Sequence, residues 1–141
     1  MKFIVMVKAT AQSEAGAMPD EAMLMAMGKF NEALQKAGLL LDLAGLHPTS
    51  KGSKVVFDKG SKPVVVDGPF AEAKELVAGY WMLQAKSKQE VEEWIKRAPM
   101  LAGNAQDHVE VEIRPVMGME DFADSPAVER QKKLGEKLGL K

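Results

Sequence analysis

The sequence predicts an α+β domain on the ferredoxin-like βαβ-βαβ plan, with an inserted hairpin and a C-terminal helix. Three observations predict it. Residues 20–37 and 87–98 repeat apolar side chains at helical spacing. Four other segments, led by KFIVMVKA and LVAGYWMLQA, are dense in β-branched and large apolar residues. The two kinds alternate as strand, helix, strand, insert, strand, helix, strand, which doubles the β-α-β unit and puts the helices on one sheet face.

KFIVMVKA is apolar on both faces and stops at the polar stretch TAQSEAGAMPD, which reads as a loop. Pro19 suits a first helical turn, and Asp20 and Glu21 favour the positive end of a helix dipole. Met23, Met27, Phe30, Leu34 and Ala37 then recur on one face until Gly38 stops the helix. LLLDLAGLHP gives the second strand. KGSKVVFDKGSKPVVV is a hairpin turning at Lys59 and Gly60, with β-branched residues on each arm.

An Asp-Gly-Pro-Phe turn at 67–70 interrupts the apolar residues before strand 76–85, which is apolar on both faces except at Tyr80 and Gln84. That pattern predicts a central position, weakened locally by Gly79. Ser87 with Glu90 reads as a capping box, and Val91, Trp94, Ile95 and Ala98 carry the second helix to about Pro99. HVEVEIRP alternates, with Val109, Val111 and Ile113 on one face and His108, Glu110, Glu112 and Arg114 on the other. Ser125 and Pro126 start a tail helix in which Glu129 precedes Lys133 by four residues.

A chain of 141 residues makes one domain with one core. Its net charge of −1 leaves no basic surface to collect phosphates, so nucleic acid is excluded as a partner. The absence of cysteine removes disulfides, thiolate nucleophiles and thiolate metal sites, and fits a cytoplasmic location. The N-terminal apolar segment is too short for a secretory signal and no run approaches a membrane span, so no processing and no membrane are expected. Two strands are apolar on both faces while only a thin tail helix is left to cover them. A second copy of the chain is the economical cover, and a homodimer through the sheet faces is expected.

The stretches DGPFAEAKELVAGYWMLQA, AGLHP and VEIRPV resemble the YCII-related family, and within it the subgroup marked by the DGPF motif. The resemblance spans residues 1–117 and leaves 118–141 as a helical extension of the same domain. It implies that the ferredoxin-like fold forms a dimeric α/β barrel. Some short members of the family carry a His and Asp acid/base pair with the histidine on the first helix. Residues 20–37 contain no histidine, so of that pair only Asp67 matches. The resemblance thus implies fold and pocket position more than reaction.

Asp67 has two readings: a turn residue whose carboxylate accepts backbone N–H groups while Gly68 takes an awkward φ, and a general base or ligand anchor at a strand end. His47, before Pro48 at the end of the second strand, is placed to face the same sheet end and to titrate near neutrality. Lys74 is positioned to pin a carboxylate ligand or Asp67, or to be a solvated loop residue. Glu112 and Arg114 share a strand face and match the family's EVRP stretch, with Arg114 suited to an anionic substrate or, preferably, to a bridge across the dimer. Tyr80 is a candidate ligand contact on a strand where an aromatic more often belongs to the core.

Two histidines without ligand spacing give no metal site, and no phosphate loop, serine elbow or other cofactor motif is present. Two functions remain. One is a small cofactor-independent enzyme doing acid/base chemistry on a small metabolite in a dimer cleft, with Asp67 and His47 moving the proton. The other is a non-catalytic metabolite-binding or regulatory module acting through a partner protein.

Overall fold

In the computed structural model, which describes residues 1–103 and 107–139, β1 (Lys2–Lys8) is the hub of a four-stranded antiparallel sheet. With β2 (Leu40–Gly45), β5 (Val77–Gln84) and β6 (Val111–Pro115), the strand order is β2-β5-β1-β6, the ferredoxin-like arrangement. β5, expected to be central, is central, and so is β1, the other strand apolar on both faces. The insert forms its own two-stranded sheet from β3 (Ser53–Val56) and β4 (Val64–Asp67), with Ser53 opposite Asp67 and Val56 opposite Val64.

Alternation sends Phe3 and Val5 of β1, and Trp81 and Leu83 of β5, to one face. There they meet Phe30 and Leu34 of α2 (Glu21–Lys36) and Val91 and Ile95 of α3 (Lys88–Ile95), which close a single core. Each of the fully buried Phe3, Leu34, Leu83, Val5 and Val91 side chains contributes about 1.5–3 kcal/mol of transfer free energy. A bulge between Leu40 and Asp42 rephases β2, so that Leu43 pairs with Trp81 and Ala44 with Tyr80.

Local chemistry departs from expectation in four places. The polar loop after β1 contains a short helix, α1 (Ala11–Glu14), because Thr10 and Ser13 cap each other through hydrogen bonds of 2.8 and 3.1 Å. Asp20 is the N-cap of α2, its Oδ1 accepting the Met23 N–H at 2.8 Å, so Pro19 stands before the cap rather than in the first turn. Ser87 caps α3, but the Glu90 carboxylate takes the N–H of Lys86 at 3.3 Å instead of returning to Ser87. In α4 (Pro126–Lys137), Glu129 pairs with Lys132 at 3.5 Å rather than with Lys133.

After β4 the chain turns through Gly68, whose N–H donates to the Gly52 carbonyl at 3.0 Å, and a cis Gly68–Pro69 peptide. Gly68 does not take a positive φ, contrary to the expectation from its place in the turn. It is needed because a Cβ there would overlap the carbonyl group of Thr49. Phe70 is fixed beyond it, with the Lys54 ammonium 4.6 Å from its ring centroid.

Two glycine substitutions are expected to move stability in opposite directions. Gly68→Ala drives a methyl into backbone and lowers the unfolding free energy by about 1–3 kcal/mol. Gly28→Ala sits inside α2 with nothing within 4 Å of the new carbon, and raises it by about 0.5–1 kcal/mol. Chemical denaturation of the two variants checks both signs.

Candidate functional site

Because β2 and β5 run antiparallel, the C-terminal end of β2 and the N-terminal end of β5 lie together, and Leu46 N–H donates to the Ala78 carbonyl at 2.8 Å. The chain leaving β1 reaches the N-terminus of α2 at that same end. Between these elements lies a cavity of about 530 Å³. Trp81, Leu43, Met23 and Met27 make its apolar lining, with Met100 and Ala102 on one side and the chain from Gly16 to Pro19 on another.

Trp81 is held by two residues of α2. Its Nε1–H donates to Asn31 Oδ1 at 2.8 Å, and its ring meets Phe30 edge-on with centroids 5.8 Å apart. Asp20 stands at the rim. A Cβ on Gly103, where φ is +77°, would lie 2.6 Å from Asp20 Oδ2, so the segment after α3 closes against this carboxylate. Ser13, Asp20, Asn31, His47 and Tyr80 are the polar residues of the lining, and no Lys or Arg lines it among the described residues.

Of the residues singled out in the sequence, His47 and Tyr80 line this cavity, whereas Asp67, Lys74, Glu112 and Arg114 do not. Asp67 closes the hairpin opposite Ser53 with its side chain exposed, and makes no side-chain hydrogen bond or ion pair among the described residues. Lys74 is exposed in the 3-10 turn Ala73–Glu75. Glu112 pairs with Lys8 at 3.3 Å and more loosely with Arg114 at 4.0 Å, on the edge strand β6, which is separated from β5 by β1.

Tyr80 borders the cavity along β5, but its hydroxyl donates to Asp42 Oδ2 at 3.1 Å. That hydrogen bond, with the charge of Asp42 behind it, holds the phenol pKa above its ordinary value. Asp20 and Asn31 line the cavity although the sequence did not single them out for a site. The signal for Asp20 was present in the sequence, since an acidic N-cap at the start of the first long helix must lie at the sheet end where β2 finishes. Nothing in the sequence pairs Asn31 with Trp81, fifty positions away.

A second hollow, about 1050 Å³, lies between α4 and the strand ends around Met1, Met117 and Met119. Its lining carries Lys2, Glu120, Asp121, Lys132 and Glu136 and none of the residues singled out in the sequence. The smaller cavity is the better site because an apolar lining with a few converging polar groups is what orients a small ligand. Among the described residues no three of His, Cys, Asp and Glu gather closely enough to hold a metal ion.

Topology and cavity define an α+β protein of ferredoxin-like plan with an apolar pocket at one sheet end. The chain belongs to the YCII-related family, whose domain matches residues 1–119. Among solved structures it is similar to 5-chloro-2-hydroxyhydroquinone dehydrochlorinase (TftG) from Burkholderia phenoliruptrix AC1100, solved with 2,5-dihydroxybenzoquinone. The identity is 15% and the TM-score 0.42, over 85% of this chain and 98% of that chain. No match is found among curated proteins.

Tyr80 is the one tyrosine of the chain, so its ionisation is read directly by ultraviolet absorbance. Asp42→Asn is expected to lower the phenol pKa toward its ordinary value. The sign for stability follows: the contribution of the Tyr80–Asp42 contact is complete below the ordinary phenol pKa and is lost as pH rises through the higher native one. An unchanged titration in Asp42→Asn would contradict the assignment.

Proposed function

We propose that this protein is a cofactor-independent enzyme that holds a small, neutral, largely apolar metabolite in the β2–β5 cavity and moves a proton on it with His47. The observation that carries this reading is the lining: an apolar floor, one imidazole, one carboxylate, and no Lys or Arg among the described residues. A phosphorylated or dicarboxylic compound would lose its hydration there, gain no cation and face Asp20. A neutral ring keeps its apolar contacts and presents one polar edge to His47, the side chain type suited to giving and taking protons near neutrality. The cavity volume is within the range of about 300–1,000 Å³ usual for small-molecule pockets.

A binding module without turnover uses the same lining. One observation favours it: among the described residues the histidine paired with a carboxylate is His108, with Glu110 at 3.8 Å, and not His47, whereas a catalytic base is commonly oriented by a third group.

In this proposal the working unit is a homodimer closing an α/β barrel. Ile4, Met6 and Met82 alternate away from the core, and the hairpin leaves Val55 50%, Val64 57% and Val65 64% exposed. A second copy covers these surfaces, with Arg114 bridging to it. Asp67 then belongs to the turn of the DGPF motif rather than to the proton transfer. Residues 118–141 extend the same domain.

Three measurements test the proposal. Calorimetric titration is expected to show p-cresol binding and its anionic counterpart p-toluate failing to bind. A thermal-shift screen of neutral cyclic metabolites, with product analysis of each hit, should find a compound whose turnover falls about 10²–10⁴-fold in His47→Gln. Stabilisation without turnover selects the binding module instead. Sedimentation at micromolar concentration should give about twice the 15.3 kDa of the chain, and a monomer there overturns the barrel.

A further inference from the structure

Thr49 stands two residues beyond His47, and its N–H and hydroxyl are both hydrogen-bonded by distant parts of the chain, while its carbonyl accepts the nearby Gly52 N–H at 2.9 Å. The hydroxyl accepts the Phe70 N–H at 3.0 Å and donates to Glu14 Oε2 at 2.5 Å, while Glu14 Oε1 accepts the Thr49 N–H at 3.1 Å. The carbonyl fills the space where Gly68 lacks a side chain. The hydroxyl is engaged both as donor, to a carboxylate, and as acceptor, from an amide N–H, and the carboxylate bond is of the stronger, charge-assisted kind.

We infer that Glu14 and Thr49 are positioning residues, a clamp through which the Asp-Gly-Pro-Phe turn sets the wall of the cavity and the placement of His47. The inference rests on the cavity being the functional site. Glu14 ends α1, and the neighbouring Ser13 and Gly16 line one wall of the cavity, while His47 and Pro48 line another. Pro48, with φ fixed at −58°, stiffens the single-residue link between His47 and Thr49. The clamp therefore joins two walls that lie more than thirty positions apart in the chain. It also gives the turn a task that its exposed carboxylate does not explain.

The test uses Thr49→Val, which removes the hydroxyl at nearly constant shape, Thr49→Ser, which restores it, and Glu14→Gln, which keeps the side-chain length but removes the charge. Ser87→Ala is the control, because it deletes one capping hydrogen bond at the far end of β5. The ring resonance of His47 is read without ligand, with His108 as internal reference, and p-cresol affinity is read by calorimetry. Thr49→Val is expected to shift the His47 resonance, leave His108 in place and weaken p-cresol about fivefold, the equivalent of one hydrogen bond. Thr49→Ser should return both readings, and Glu14→Gln should move both in the same direction as Thr49→Val by less. Ser87→Ala should change thermal stability and neither reading. If Thr49→Val and Glu14→Gln lower stability while the His47 resonance stays at its wild-type position, the clamp is merely structural and the inference is overturned. If wild type takes up no p-cresol, the proposed function falls, and the ligand-free His47 resonance still decides the clamp.

Discussion

The seating of α2 on the sheet depends on Trp81. It is buried in the strand that pairs with both β1 and β2, and it meets α2 twice, through the Phe30 ring and through the Asn31 amide. The ring contact supplies apolar area and a preferred edge-on geometry, and the indole N–H would be a costly orphan without Asn31. Together they set both the rotation and the height of the helix. That height leaves space between α2 and the ends of β2 and β5, so one side chain completes the core on one side and floors the cavity on the other.

The sheet divides its labour by alternation. Trp81 faces the helices, while the Tyr80 hydroxyl goes to Asp42 and Glu112 to Lys8. At the cavity end Gly45 pairs with Gly79, and a Cβ on Gly79 would stand 3.0 Å from the Ala44 carbonyl oxygen. The two strands approach closely there and then part, β2 toward His47 and β5 back toward the Asp-Gly-Pro-Phe turn. An imidazole and a rigid turn are thereby delivered to one end of the sheet from segments that are remote in sequence.

The sheet order and the two long helices were legible because each depends on periodicity that a single segment carries. Met23, Met27, Phe30 and Leu34 mark a helix face wherever they fall, and the two-sided apolarity of β1 and β5 marks the middle of a sheet. The capping of α1 was missed because one turn of helix has no period, only the reciprocal bonds of Thr10 and Ser13. Gly68 was expected to serve its own φ, but its reason is the Thr49 carbonyl, nineteen positions away, which no local pattern contains. The candidate site was legible only in part. His47 was traceable from its place at a strand end, whereas Asp20 passed as helix-dipole chemistry and Asp67 drew attention through a motif whose glycine does the packing.

The ten methionines, spread over the molecule, give the most direct measurement of where a ligand goes. Met18, Met23, Met27 and Met100 line the cavity, Met1, Met117 and Met119 line the hollow beside α4, and Met6 and Met82 pair with the open sheet face. In a protein with carbon-13-labelled methionine methyls, titration with a neutral arene such as indole should shift the first group in a saturable way and leave the others in place. Shifts confined to Met117 and Met119, or to Met6 and Met82, would place the ligand elsewhere and contradict the cavity as the functional site.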